Sequence, residues 1–305
     1  MINCFVNNEF SSIEKVILGI AHDFGGKPLL CDTYDPKSRQ SIINNTFPVE
    51  SDLISELNQV LLVFEKYNIE VFRPTNIKGC NQIFARDVGF VIENKFFKSN
   101  MINDRKEEIN GFSSIINHIN IQEVITVPDE VSVEGGDVVL YNQYVFCGYT
   151  NNTIFNTFKV SRTSKNTLDF ISNFFSNKNV IGFELIKSDT NPYASCLHLD
   201  CCFQPLGLGH VILCPEAFKN MEDITLITNI FGSKNIITIS LVEMYNMYSN
   251  IFSISKNVVI SDITFKRLNS ILLDKGYIVE TVSFSEVSKM GGLLRCATLP
   301  LKRII

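Results

Sequence analysis

Apolar residues along the chain recur in two alternating spacings. Val16-Ile17-Leu18-Gly19-Ile20 is a compact apolar run without helical spacing, and Gly25, Gly26 and Pro28 follow it, which predicts a buried strand entering a surface loop. Leu53, Leu57, Val60, Leu61 and Phe64 then share one face at helical spacing, with Ser51 as the expected N-cap and Asn68 ending the pattern. A strand over Ile69 to Phe72 stops at Pro74.

From there one order repeats: a pair of strands joined by a turn, a helix, and another strand. Phe90 to Ile92 and Lys95 to Lys98 flank Glu93-Asn94, followed by a helix from about Asp104 to His118 and a strand from Glu123 to Val127. Val138 to Tyr141 and Tyr144 to Cys147 flank Asn142-Gln143, with a helix near Thr167 to Phe175 and a strand from Val180 to Ile186. Cys201 to Gln204 and His210 to Cys214 flank the turn Pro205 to Gly209; Pro215 opens a helix that Gly232 ends, and Ile236 to Ile239 is the strand. Ile251 to Ser255 and Val258 to Ile260 flank Lys256-Asn257, Ser261 caps a helix ending at Gly276, and Tyr277 to Val282 follows.

A fifth hairpin needs two more strands, and the chain supplies one, Arg295 to Leu301. The early strand Lys15 to Ile20 can be its partner, joining both ends of the chain. Units of about 60 residues at a fixed period point to a closed radial array. The expected fold is therefore an α/β, pseudo-fivefold, five-bladed propeller occupying residues 1–305 as a single domain, its ring closed by the N- and C-terminal strands. A doubly wound sheet is the alternative, but hairpins between helices argue against a purely parallel sheet.

Composition narrows the function classes. The chain of 305 residues is 45% hydrophobic and 19% charged, a globular balance. A net charge of −5 and a pI near 5.5 weigh against nucleic acid and anionic membranes and suit a small cationic ligand. No apolar run approaches the roughly 20 residues that span a bilayer. Met1 to Phe10 has no basic region followed by an apolar core, so a cytoplasmic protein is expected. Nine scattered cysteines without a CxxC pair indicate neither a disulfide framework nor a zinc cage.

Candidate chemistry falls at one place in each repeat, just before the hairpin. Arg86-Asp87, Glu134-Gly135-Gly136-Asp137, His198-Leu199-Asp200 and Gly291-Gly292 ahead of Cys296 all occupy it, so equivalent units bring them to one central pocket. A cysteine is a good nucleophile once its pKa falls below about 8.5, and His198 can protonate a leaving amine and deprotonate an incoming water. Carboxylates around a thiol raise its pKa, which makes sense only if the substrate is a cation. A planar guanidinium suits Asp87 and Asp200 on opposite edges while Cys296 attacks its central carbon, with Glu134 orienting His198.

These segments resemble the guanidino-group-modifying enzymes, which include arginine deiminases, dimethylarginine dimethylaminohydrolases and amidinotransferases and share the pentein fold. Phe84-Ala85-Arg86-Asp87, Glu134-Gly135-Gly136-Asp137, His198-Leu199-Asp200 and Gly291-Gly292 before Cys296 match the family's landmarks in order, from about Val16 to Arg303. The resemblance implies Cys296 as nucleophile, His198 as general acid/base, Glu134 as its partner, and Asp87 and Asp200 as the guanidinium clamp; no cofactor is expected, and no metal either, since the metal-like spacing His198-x-Asp200 has no evident third ligand. Arg295-Cys296-Ala297-Thr298 with Pro300 looks more like the hydrolases than the transferases. The family's Ser-x-Arg-Thr, whose arginine holds the substrate carboxylate, is expected after the second hairpin, where Thr150-Asn151-Asn152-Thr153 stands. Asn152 then replaces the arginine, and either Arg295, Arg162 or Arg86 takes over its charge or the substrate is not a free α-amino acid.

Blander roles compete. Cys4, Cys31, Cys147, Cys196, Cys202 and Cys214 read as small packing residues, and Asp137 is as well suited to backbone as to substrate. His22, His118 and His210 are structural, with His22-Asp23 the exception if any. An amidinotransferase using an amine acceptor is the second functional expectation and a non-catalytic propeller the third. A homodimer is one assembly compatible with the chain.

Overall fold

In the computed structural model, which describes residues 1–304, the strands form five separate three-stranded sheets. Each sheet follows one plan, an antiparallel hairpin whose second strand pairs in parallel with a later strand. The first blade is Gly89–Ile92, Lys95–Lys98 and Val124–Thr126. The second is Val138–Tyr141, Tyr144–Tyr149 and Asn179–Glu184. The third is Phe203–Pro205, Val211–Leu213 and Ile236–Thr238, and the fourth Phe252–Ser255, Val258–Asp262 and Ile278–Val282.

The fifth blade is assembled from both ends of the chain. Thr298–Ile304 runs antiparallel to Ser12–Leu18, with Leu18 opposite Thr298 and Ser12 opposite Ile304, and Ser12–Leu18 pairs in parallel with Glu70–Phe72. The ring is thus closed as its repeats require, giving a pseudo-fivefold α/β propeller. Turn chemistry sets the hairpins: Glu93 and Asn142 take positive φ, 51° and 53°, as tight two-residue turns demand.

Helices cover the outside of the blades. In Glu50–Lys66, Leu53, Leu57, Val60 and Phe64 are buried, each contributing roughly 2 kcal/mol of apolar burial. The same helix buries Glu56, whose carboxylate accepts from the amides of Glu286 and Val287 at 3.0 and 2.9 Å and ties down the segment leading to Cys296. Among the described residues no helix is long and apolar enough to cross a membrane.

Several boundaries differ from the sequence expectation. Val49, not Ser51, is the N-cap of the first long helix. Pro215 begins only a short 3-10 turn, and the following helix starts at Met221; Gly232 does end it, at φ 81°. Ser261 lies inside a strand, and the helix expected to start there is Lys266–Asp274. The stretch expected to be a helix over Asp104 to His118 is mainly a 3-10 helix, Asn103–Phe112. With about three residues per turn, that form aligns Arg105 and Glu108 on one inward face, where both are buried and paired. Cys201 and Arg295 likewise belong to turns ahead of their strands rather than to the strands.

Candidate active site

A turn precedes the first strand of every blade, and these five turns supply the site. Asp87 lies in the single helical turn Ala85–Val88 and Glu134 immediately before the 3-10 turn Gly135–Asp137. His198 immediately precedes the 3-10 turn Leu199–Cys201, and Cys296 sits two residues ahead of Thr298–Ile304. The fourth blade contributes Asn250, two residues ahead of Phe252. All are buried, Cys296 at 2% exposure and Asn250 at 0%. Gly136 makes the convergence possible, because a Cβ there would lie 2.8 Å from both the Asp87 carboxylate and the His198 ring.

One side of the cluster is built for protons. His198 Nε2 lies 2.9 Å from Glu134 Oε2, and its Nδ1 is 3.6 Å from Asp87 Oδ1 without a hydrogen bond. Burial alone would lower the imidazole, but Asp87, Glu134 and Asp137 overcome it and raise its pKa above the usual 6.5. Burial would raise Glu134; the guanidiniums of Arg162 and Arg105 and the His198 imidazole instead hold it well below the usual carboxylate range. Arg162 Nη1 donates to Glu134 Oε2 at 2.9 Å and Nη2 to the Tyr34 carbonyl at 2.7 Å. Arg105 Nη1 donates to Asp87 Oδ2 at 2.8 Å and Glu134 Oε2 at 3.3 Å, while its other nitrogens grip Glu108.

The other side holds the thiol. Cys296 Sγ is 3.6 Å from Asp200 Oδ2 and accepts from Asn250 Nδ2 at 3.1 Å. Burial first, then Asp200, Asp87 and Cys201, pushes its pKa well above that of an ordinary thiol. Arg295 is near but fully engaged: Nη1 donates to Asp200 at 2.8 Å, while Nε and Nη2 meet Glu9 at 3.2 and 2.9 Å.

A cavity of about 400 Å³ adjoins the cluster at Arg105, which lines it together with Tyr34, Asp35, Asn81, Glu108 and Met290. Residues 33–47 contribute Thr33, Tyr34, Asp35, Ser38 and Phe47 to its wall, which includes none of Cys296, His198, Glu134, Asp87 and Asp200. Asp87, Glu134 and His198 also place one ligand atom each within 4.8 Å of one another, a metal-like triangle. Arg105 and Arg162 already donate to two of the three, which disfavours a divalent cation there by like-charge repulsion.

The predicted residues divide clearly. Cys296, His198, Glu134, Asp87 and Asp200 converge. Asp137 accepts the Leu199 amide at 2.9 Å and so braces the turn after His198, the backbone role weighed for it. Arg86 donates its amide to the Cys296 carbonyl at 3.0 Å and its Nε to the Arg295 carbonyl, supporting the turn from behind. Asn152 is not in the cluster: it is exposed, and its side chain accepts the Lys165 amide at 3.2 Å. Of the three alternative arginines, Arg162 bonds Glu134 and Arg295 bonds Asp200; the Arg162-Thr163 pair stands ten positions beyond Asn152-Thr153, after a loop that follows the second hairpin. His22 is exposed, while His118 and His210 bond Ser114 and Tyr277 elsewhere. Arg105, Glu108, Glu9 and Asn250 were not singled out by the sequence; Asn250's place before a hairpin is the signal that could have found it.

Residues 37–303 match the family described as N,N dimethylarginine dimethylhydrolase, eukaryotic. The chain belongs to this family. It is 25% identical over 299 residues to the uncharacterized protein YkgA of Bacillus subtilis, covering 97% of this chain and 94% of that one. The solved N-terminal domain of ArgZ, a cyanobacterial arginine dihydrolase, covalently bound to a reaction intermediate, superposes with a TM-score of 0.79 at 18% identity, covering 95% of this chain and 98% of that domain. SxtG, an amidinotransferase from Microseira wollei, gives 0.77 at 17% identity, covering 98% and 97%. The fold is that of the pentein enzymes, and the chain is a guanidino-group-modifying enzyme of that superfamily.

Proposed function

We propose that the protein is a cysteine-dependent amidinohydrolase acting on the guanidinium of arginine or an arginine derivative, of deiminase or dimethylaminohydrolase type. The observation that carries this reading is the convergence of Cys296, a raised His198 on Glu134, and two aspartates from separate blades in one buried cluster beside a cavity.

The chemistry follows from the two sides. A guanidinium entering the cluster meets Asp87 and Asp200, whose carboxylates retain lone pairs beyond their bonds to Arg105 and Arg295. Its positive charge offsets the carboxylates that hold the thiol protonated, so Cys296 releases its proton to solvent in the presence of substrate and regains one from the product as the C–S bond breaks. Sγ attacks the guanidinium carbon, forming a C–S bond. His198, protonated through Glu134 and Asp87, gives a proton to the departing ammonia or alkylamine as the C–N bond breaks, leaving an amidino-thioether. The now neutral His198 takes a proton from water, whose oxygen attacks the same carbon; the C–S bond breaks and a ureido product leaves. Arg162, and Arg105 at the cavity wall, are the cations we assign to a substrate carboxylate, which would have to share them with Glu134, Asp87 and Glu108.

An amidinotransferase would share every step up to the covalent intermediate and differ in admitting an amine instead of water. The structural likeness to SxtG, an amidinotransferase, supports keeping this second reading. Incubation with arginine, methylated arginines, agmatine and guanidinoacetate, acid quench, and intact-mass analysis tests both. An amidino adduct on the Cys296 peptide with a ureido product supports hydrolysis, and a new guanidino compound formed only with added amine supports transfer. No adduct and no product across the panel would overturn both.

A further inference from the structure

Four of the five turns at the ring's centre carry residues already given roles, and the fifth carries Asn250. Its side chain makes contacts that a filler would not. Oδ1 accepts the backbone amides of Leu293 at 3.2 Å and Cys296 at 3.0 Å, and the Asn250 carbonyl accepts the Arg295 amide at 3.1 Å. The two amides bonded to Oδ1 fix the orientation of the carboxamide, because an N–H facing an N–H would be repulsive. Nδ2 is therefore the atom that points at the Cys296 sulfur, 3.1 Å away, with a second, longer contact to the Asp200 carbonyl at 3.4 Å.

We infer that Asn250 is a further catalytic residue of the proposed reaction: its carboxamide donates a hydrogen bond to the Cys296 thiolate while its oxygen holds the nucleophile's turn in attacking position. Two neighbours of the sulfur act in opposite senses. Asp200 Oδ2 at 3.6 Å accepts the thiol proton and favours the neutral form. Asn250 Nδ2 donates and favours the anion, the state that attacks. Asn250 Nδ2 is the side-chain donor to this sulfur, and the Leu293 amide on the same turn acts on the thiol in the same sense. A carboxamide suits the position better than a cation. It supports the thiolate without placing a second positive charge where the guanidinium must sit, and without competing for Asp200.

This inference rests on the proposed function, but one arm of its test does not. Cys296 alkylation by iodoacetamide is followed against pH, with the modified peptide identified by mass, in wild type, Asn250→Ala and Asn250→Asp. Thermal melting establishes that each variant is folded. In Asn250→Ala the alkylation midpoint is expected to rise by about one pH unit. With arginine or whichever guanidine the wild type turns over, kcat is expected to fall roughly 100-fold and KM to change far less, the scale for losing one charge-stabilising donor. Asn250→Asp keeps an acceptor for the Leu293 and Cys296 amides, so it stays informative if the alanine variant fails to fold; its midpoint is expected to rise further. A folded Asn250→Ala with an unchanged alkylation midpoint overturns the sulfur-donor role, even if kcat falls. An unchanged profile and kcat in Asn250→Asp overturn the proposal altogether. A wild type that alkylates at Cys296 but converts no guanidine overturns the reaction assignment instead, and the alkylation comparison still decides what Asn250 does to the thiol.

Discussion

The two sides of the cluster are both buried and both rich in carboxylates, yet their electrostatics are opposite. Around His198 and Glu134, Arg162 and Arg105 both donate to Glu134 and keep it ionised, and the carboxylates of Asp87, Glu134 and Asp137 in turn hold His198 toward its charged form. Around Cys296 the nearby arginine is consumed by Glu9 and Asp200, and the thiol is pushed up. The proton-handling half is thus charged in advance, whereas the nucleophilic half waits for a cation. Under the proposed mechanism that asymmetry makes a guanidinium both substrate and activator, and it keeps the buried thiol protonated until the cation enters.

The largest expected effect breaks the nucleophilic half outright. Cys296→Ser should abolish adduct formation and lower turnover by more than about 1,000-fold, while melting shifts little because the side chains are nearly the same size. An active serine variant would refute the covalent route.

Next comes the proton side. Glu134→Gln leaves Arg162 and Arg105 without their shared counter-charge and should cost about 3 kcal/mol of stability, measured by denaturant unfolding. It also removes a group that raises His198, so the alkaline limb of the kcat profile should move to lower pH. The linkage has a sign. Because Glu134 is depressed below 4.5, its stabilisation is present above that pH and fades as pH falls through the folded value, so wild type should lose stability in acid more steeply than the variant.

The contrast itself can be measured in the substrate-free protein. Cys296 alkylation should be slow at pH 7 and accelerate only above pH 9, whereas a pre-ionised thiolate would react at once. Smaller again, Arg162→Ala should raise KM for a carboxylate-bearing guanidine about tenfold and spare a carboxylate-free one such as agmatine. Smallest is Asn152→Ala, which should change neither KM nor stability by more than about 0.5 kcal/mol, since the side chain is exposed and outside the cluster.

Much of this was legible along the chain because repeats and turns are local. Hairpin positions, the Glu93 and Asn142 turns and the pairing of the two ends followed from strand counting, and the landmark carboxylates, histidine and cysteine each stand at the same phase of a repeat. Arg162 shows the limit. The family motif is expected directly after the second hairpin, but the loop between Tyr149 and Arg162 has no periodicity that fixes its length. Arg105 and Glu108 were hidden differently: in an α-helical register they belong to a polar solvent face, and only the 3-10 winding turns both inward.

The sequence by itself determined the five-unit plan, the closure by its terminal strands and the convergence of Asp87, Glu134, His198, Asp200 and Cys296, because each is written in the repeat pattern. The tertiary structure alone decided which charges cancel. Whether Arg295 is spent on Glu9, whether Arg105 and Arg162 hold Glu134 down, and whether a carboxamide or a cation faces Cys296 depend on contacts between residues as many as 286 positions apart. Coulomb and hydrogen-bond energies fall off over a few ångströms of space and take no account of separation along the chain.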